Sequence, residues 1–166
     1  MNTKTKSSVQ LSNQHGSILL NGLGHAWIQT NAHGFPCRLS LLDHPIPNPA
    51  TPDPATTGWL QRLLQWWQDP SIQLAACPLP QGTPWQQQVW SLLTTIPSGA
   101  TRSYSEIALI LGKPSAQRAV ARACACNPLP LFIPCHRVIA HNGNLSGYRF
   151  GLERKRLLLQ RELSIS

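Results

Sequence analysis

The chain has 166 residues, 42% of them hydrophobic, which supplies enough apolar side chain for packed cores and excludes disorder throughout. Its net charge of +8 is lopsided: residues 101–166 hold ten Lys and Arg against three Asp and Glu, whereas residues 1–100 hold four against three. So few acidic residues beside so many basic ones point to a polyanion met by the C-terminal half, although a basic protein without such a partner has the same composition.

No run approaches the roughly 18 apolar residues of a membrane span. Met1 to Gln14 is polar and lacks the apolar centre of a signal peptide, so an intracellular, reducing compartment is expected: cytoplasm or nucleoid, or nucleus in a eukaryote. The five cysteines, at 37, 77, 124, 126 and 135, are then free thiols. Cys124, Cys126, Cys135 and His136 compose an alternative zinc set, but Cys-x-Cys fits the usual spacing poorly, and neither metal nor cofactor is expected.

In chain order, residues 1–16 read as a flexible arm. Gly24–Thr30 and Phe35–Leu42 are two β-rich runs joined by the hairpin Asn31-Ala32-His33-Gly34. Prolines crowd residues 45–55 and deny that loop helix or sheet. Trp59, Leu60, Leu63, Leu64 and Trp67 recur at helical spacing, which predicts a helix over 57–68 with one apolar face on the strands; its tryptophans are core rather than a stacking platform for bases. Ile72–Ala76 is a third strand, and 78–82 a linker, so that residues 1–80 form one unit and 81–166 a second.

The second unit opens on a capping box, Thr83 with Gln86, around Pro84 at the first helical position, and predicts a helix to about Leu93. Ser103 and Glu106 repeat the device for a helix that stops at Gly112. Lys113-Pro114-Ser115 turns the chain into a further helix over 116–125. Two helices across a short turn make a helix-turn-helix, the second bearing Arg118 and Arg122 one turn apart, with Ala119, Val120 and Ala123 as small close-packing positions.

Ile133-Pro134-Cys135-His136-Arg137-Val138-Ile139 carries the chemistry. A free thiol titrates near ~8.5, and a neighbouring imidazole or cation lowers that value, so Cys135 beside His136 and Arg137 reads as an activated nucleophile; the alternative is a small buried hydrophobe. Successive side chains of a strand diverge, so the pair needs a turn or a bridging group to act together.

The ordered set Gly82 to Trp90, Ile96 to Tyr104, Arg118-Ala119-Val120, Asn127 to Pro130, Pro134-Cys135-His136-Arg137, Ser146-Gly147-Tyr148-Arg149 and Glu162 closely resembles the O6-alkylguanine-DNA alkyltransferase family. Roughly the C-terminal half matches motif by motif; residues 1–80 match only loosely. The resemblance implies an α/β (α+β) fold, with a small N-terminal antiparallel sheet and helix of ribonuclease H-like type before a mainly helical, winged-helix-like unit. It also implies irreversible, stoichiometric transfer of an alkyl group from O6-alkylguanine in double-stranded DNA to Cys135, by a monomer. O4-alkylthymine is a further candidate substrate.

By the same resemblance, Glu162, His136 and a bridging water hold Cys135 as thiolate. Arg118 enters the stack as a finger or else only contacts phosphate, and Tyr104 presses the 3′ phosphate or else is a core aromatic. Arg122 and Ala119 face DNA. Asn127 braces the thiol segment or caps the helix, and the backbone of Cys135, Val138 and Ser146 reads the guanine edge, with Pro130 and Tyr148 as pocket walls. Departures from the family pattern are Ala121, where glycine is common, and Cys124 and Cys126, where thiols are not. The competing functions are an alkylated-DNA-binding module without transfer, a zinc-stabilised regulator and a thiol hydrolase; a relative that only binds lesions has tryptophan at the cysteine position, so Cys135 speaks against the first.

Overall fold

The computed structural model describes residues 14–46, 51–69, 71–74 and 76–163. The expected arm lies outside these residues up to position 13, as does part of the proline-rich loop. Strands β1 (His15–Leu20), β2 (Gly24–Thr30) and β3 (Pro36–Leu42) form an antiparallel sheet in that order. Ala26 and Ile28 of β2 and Leu39 and Leu41 of β3 alternate inward, as the two-residue period of a half-buried strand requires. The predicted hairpin closes through the Asn31 side chain, which accepts from the backbone N–H of His33 and Phe35.

Two expectations about this sheet are corrected. His15 and Gly16, assigned to the arm, begin β1, whose Gly16 lies against the helix: a Cβ there would stand 2.8 Å from Leu60 Cδ1 and 3.0 Å from Pro52 Cβ. The glycine that makes the segment look unlike a strand is what lets the helix approach it. Conversely, the described part of Ile72–Ala76 forms no strand; Asp69 Oδ1 accepts from the N–H and hydroxyl of Ser71, turning the chain away, and Ile72 is exposed.

Helix α1 spans Pro54–Gln68, three residues longer at its start than periodicity suggested, because Asp53 accepts from Thr56 N–H at 2.7 Å and Pro54 occupies N1, where no donor is missed. Thr56, Trp59, Leu60, Leu63 and Trp66 are its buried face. Trp66, not Trp67, is the inner tryptophan; Trp67 sits at the rim and donates its indole N–H to Asn21 O.

The second half is helical. Helix α2 (Pro84–Leu93) and helix α3 (Tyr104–Ile110) each start on the capping box expected for them. A turn through Gly112, at φ +70°, leads to α4 (Gln117–Ala125), so the helix-turn-helix is present. Trp90 of α2 donates its indole N–H to Ala123 O of α4 at 2.9 Å and locks the three helices together. Two short parallel strands, β4 (Arg102–Ser103) and β5 (Val138–Ile139), bracket the thiol segment, and α5 (Leu152–Leu163) closes the chain. The mixed α/β class is the one expected.

Leu63 is fully buried between α1 and the sheet, whereas its neighbour Leu64 is only partly covered. Leu63→Ala is therefore expected to cost about 2–5 kcal/mol in urea unfolding, and Leu64→Ala less than half as much. Equal losses would mean that α1 docks through a different face.

Candidate active site

Asn127, 2% exposed at the end of α4, organises the segment that follows. Its Oδ1 accepts from Leu129 N–H at 2.9 Å, while its Nδ2 donates to Ile133 O at 2.8 Å and to the Cys135 sulfur at 3.3 Å. Its backbone N–H also bonds Cys124 O, so capping and bracing are both present. Leu131 lies at φ +77°, a conformation costly for a branched side chain, and the packed chain on either side holds it there.

Cys135, His136 and Arg137 form one 3-10 turn, so the adjacent side chains fan out around a helical axis instead of alternating across a strand. His136 is fully buried and its Nε2 lies 2.8 Å from Glu162 Oε1 on α5. Its Nδ1 is buried without a protein hydrogen-bond partner. Cys135, 7% exposed, is not bonded directly to the imidazole; its sulfur partner is Asn127.

Arg137 departs from expectation. Its guanidinium turns away from the thiol and grips Glu162, with Nε 3.0 Å from Oε2 and Nη2 2.8 Å from Oε1, and Nη1 donates to Ile96 O. Burial pushes the Glu162 carboxyl up, but hydrogen bonds from His136 and Arg137 and their charge outweigh it and hold the group down at about 2. Burial lowers His136 below the ordinary imidazole range against the opposing pull of Glu162. Cys135 is raised by burial, with the Asn127 N–H and the Lys155 charge acting the other way. Burial thus favours the neutral forms of the thiol and the imidazole, while the donors around Glu162 favour its ionised form.

Lys155 went unremarked in the sequence. It is fully buried, and its ammonium donates to Val138 O at 2.6 Å and Ser146 O at 2.7 Å, in two residues whose backbone is expected at the guanine edge. The signal was available: Lys155, Leu158 and Glu162 lie three and four residues apart on one face of α5, but Glu153-Arg154-Lys155-Arg156 reads as a solvated charge run.

A cavity of about 280 Å³ opens beside the thiol, lined by Cys135, Tyr104, Ala121, Cys124, Tyr148 and Arg149 among others. Tyr104 also reaches Ser146 O with its hydroxyl, at 3.4 Å. Two of the three departures from the family pattern, Ala121 and Cys124, thus face the cavity, while Cys126 points to solvent, which separates the members of the alternative zinc set. Arg118, Ala119 and Arg122 are exposed on the outer face of α4 and do not line the cavity. Pro130 is buried beside it, bridged to Ile133, rather than lining it.

A helix-turn-helix fused to a buried Cys-His-Glu cluster beside an open cavity defines a class of protein that performs thiol chemistry next to a nucleic-acid-binding unit. Residues 84–164 match the family model described as the DNA-binding domain of 6-O-methylguanine DNA methyltransferase. The chain is 41% identical to the methylated-DNA–protein-cysteine methyltransferase of Mycobacterium bovis over 142 residues, 85% of this chain and 84% of that protein, and it belongs to that family. It is also 58% identical over 82 residues, 49% of this chain, to the bifunctional transcriptional activator/DNA repair enzyme Ada of Escherichia coli, of whose length it spans 23%. Among solved structures, Mycobacterium tuberculosis OGT in complex with DNA superposes with a TM-score of 0.78 at 36% identity, over 92% of this chain and 94% of that one. Among the described residues no helix is long and apolar enough to cross a membrane.

The charge states carry a pH dependence. Below about 6.5 the unfolded chain protonates His136 while the folded chain resists, so stability falls as pH drops from 7 towards 5. The Glu162 contribution, complete above the unfolded carboxyl value of about 4.3, is lost only as pH falls towards 2. Urea unfolding from pH 8 to 5 should show a slope in the native protein that His136→Gln reduces, by at most about 1.4 kcal/mol per pH unit. A slope unchanged by His136→Gln would mean that the imidazole takes up its proton equally readily in the folded and the unfolded chain.

Proposed function

We propose that this protein repairs DNA by direct reversal, taking the alkyl group of O6-alkylguanine, with O4-alkylthymine as a further candidate substrate, onto Cys135 irreversibly and once per molecule. The observation that carries the reading is the thiol at the inner wall of a cavity beside the helix-turn-helix, positioned by Asn127 and backed by the buried His136–Glu162 pair. The Mycobacterium tuberculosis relative, solved with DNA, makes duplex DNA the partner to test first.

In the proposed reaction, a water between His136 Nδ1 and Cys135 meets the hydrogen-bonding need of that buried nitrogen and passes the thiol proton to the neutral imidazole. Glu162, already ionised, stabilises the imidazolium so formed. The sulfur then attacks the alkyl carbon in line: the S–C bond forms, the C–O6 bond breaks with its electron pair on the guanine, and that anion takes a proton at N1 from water as the imidazolium returns its own to solvent. The thioether product does not release Cys135, so one molecule repairs one lesion.

O6 lies inside the duplex, so the nucleotide must leave the stack at a cost of about a few kcal/mol. The first turn of α4 places Arg118 on the exposed face with Arg122 and Ala119, where a long planar cation suits the vacated position and its neighbours suit the backbone. Tyr104 stands between that face and the cavity and is assigned the rotation of the nucleotide at its 3′ phosphate. Tyr148 walls the cavity, and the backbone of Val138 and Ser146, held by Lys155, is assigned to the guanine edge, with Pro130 supporting from outside the lining. Residues 81–166 thus hold the DNA-facing chemistry and residues 1–80 support it, in an intracellular compartment that contains DNA.

Incubation with duplex carrying radiolabelled O6-methylguanine should move one label per protein to Cys135, located by mass spectrometry, and Cys135→Ser should bind the duplex but accept none. Repeated turnover would instead identify a hydrolase, and binding without transfer a damage-recognition module.

The finger assignment has its own test. Arg118→Ala should slow repair of duplex by tenfold or more, on the order of the unstacking energy it would offset, while reaction with free O6-alkylguanine base changes by less than about twofold. His136→Ala should depress both. Equal losses on base and duplex for Arg118→Ala would assign Arg118 to the fold or pocket.

A further inference from the structure

We propose that Lys155 is the positive group that stabilises the Cys135 sulfur as it ionises, a positioning residue that neither Arg137 nor His136 replaces. The inference rests on Cys135 being the alkyl acceptor and adds to that reading the source of its charge compensation.

Lys155 is fully buried, yet among the described residues no carboxylate lies within ion-pair distance of its ammonium. Its hydrogen bonds go to the carbonyls of Val138 and Ser146. A buried ammonium facing only neutral dipoles is expensive unless a negative charge arises beside it. The carbonyls that hold it frame the thiol: Val138 follows the turn that carries Cys135, and Ser146 O also accepts from Tyr104, a lining residue of the cavity.

The titratable groups of every neighbouring element are consistent with that placement. Cys124 of α4 and Cys135 of the 3-10 turn are the two whose negative charge pulls Lys155 back up against burial, and Lys155 in turn lowers both. Tyr104 of α3 and Tyr148 of the loop before α5 are raised by burial and remain neutral. His136 is engaged with Glu162, as is Arg137, and Arg154 is occupied by Asp43 and Leu23 O. Arg149 also lines the cavity but is exposed, with its guanidinium over the Phe150 ring, so that among the described residues Lys155 is the buried cation left to meet a thiolate. A second role, clipping residues 138 and 146 together, follows from the same two bonds, so the test must separate charge from clip.

The full chain and its Lys155→Met variant, similar in length but uncharged, are treated with iodoacetamide from pH 6 to 10, a reaction that needs no DNA. Cys124, Cys126 and Cys135 fall between Arg122 and Arg137 on one tryptic peptide, so fragment ions assign the modified thiol. Loss of Lys155 should move the pH midpoint of Cys135 modification up by about one unit and cut its rate at pH 7.5 about tenfold. A uniform loss across pH, with the midpoint unmoved, would reduce Lys155 to a clip and overturn the proposal; no change would overturn it as well. Should Lys155→Met fail to fold, the ε-carbon of Lys155 is titrated by NMR in the native chain and in Cys135→Ser. The lysine should lose its proton at lower pH without the thiol, and coincident titrations would sink the idea. A shifted midpoint together with failed alkyl transfer from DNA would leave Lys155 assigned and remove the repair reading instead.

Discussion

The buried Glu162 carboxylate is the interaction on which the rest of the site depends. An ion of that size taken out of water costs several kcal/mol unless it is fully bonded. Arg137 supplies a fork, His136 one nitrogen and Gly99 N–H a longer contact at 3.4 Å, so two separate stretches of chain converge on the two oxygens. The carboxylate thereby ties α5 to the 3-10 turn and to the loop after α2, and it fixes the ring plane of His136. Arg137, adjacent in sequence to the presumed nucleophile pair, spends its charge here. Removal of Glu162 would leave a buried guanidinium and a buried imidazole without their common acceptor, a structural loss as well as a chemical one.

The same helix face carries the opposite charge with the opposite treatment. Glu162 is gripped by the Arg137 guanidinium and bonded to His136, which hold its carboxyl down at about 2, whereas the Lys155 ammonium, two turns earlier, donates to carbonyl dipoles. Between them, Leu158 is fully buried and keeps the two ends apart. One end of α5 is thus electrically complete at rest and the other becomes complete only when a negative charge forms in the cavity. Burial favours the protonated thiol, and the less thiolate a buried cysteine carries the less it offers to oxidants.

Much of the helical half was legible because its signals are local. Thr83 with Gln86 and Ser103 with Glu106 announce helices through bonds made within four residues, and Gly112 ends α3 through its own φ. Cys135 and His136 stand out as a local pair, whereas Glu162 was readable only through the family pattern, since nothing local distinguishes it from a surface charge. What was missed depends on contacts distant in sequence. Gly16 belongs to a strand because Leu60 packs on it, Ile72 has high strand propensity but no neighbour to pair with, and Trp66 displaces Trp67 from the core because of how α1 rotates on the sheet. Arg137 and Lys155 were misjudged for one reason: sequence shows a charge and its neighbours, not the direction in which a long side chain leaves the backbone.

Among the described residues the N-terminal half contributes none to the lining of the cavity, yet it bears on the chemistry through the strained segment between Asn127 and Cys135. Leu39 N–H of β3 donates to Pro128 O at 2.8 Å, and Trp59 of α1 meets the Phe132 ring edge-on at 5.6 Å. These contacts grip the chain on both sides of Leu131, whose positive φ costs about 1–3 kcal/mol and persists only where its surroundings over-determine it. Arg161 of α5 adds a second junction, its guanidinium stacked over Trp66 and Trp67 while donating to their carbonyls. The sheet and α1 therefore act as a jig: they hold the 127–135 segment in a conformation it would not keep alone, and that conformation is what places Asn127 Nδ2 on the Cys135 sulfur. A loosened N-terminal half would reach the thiol through that path before it reached any DNA-facing residue, so the first sign would be altered Cys135 reactivity with the helix-turn-helix still intact.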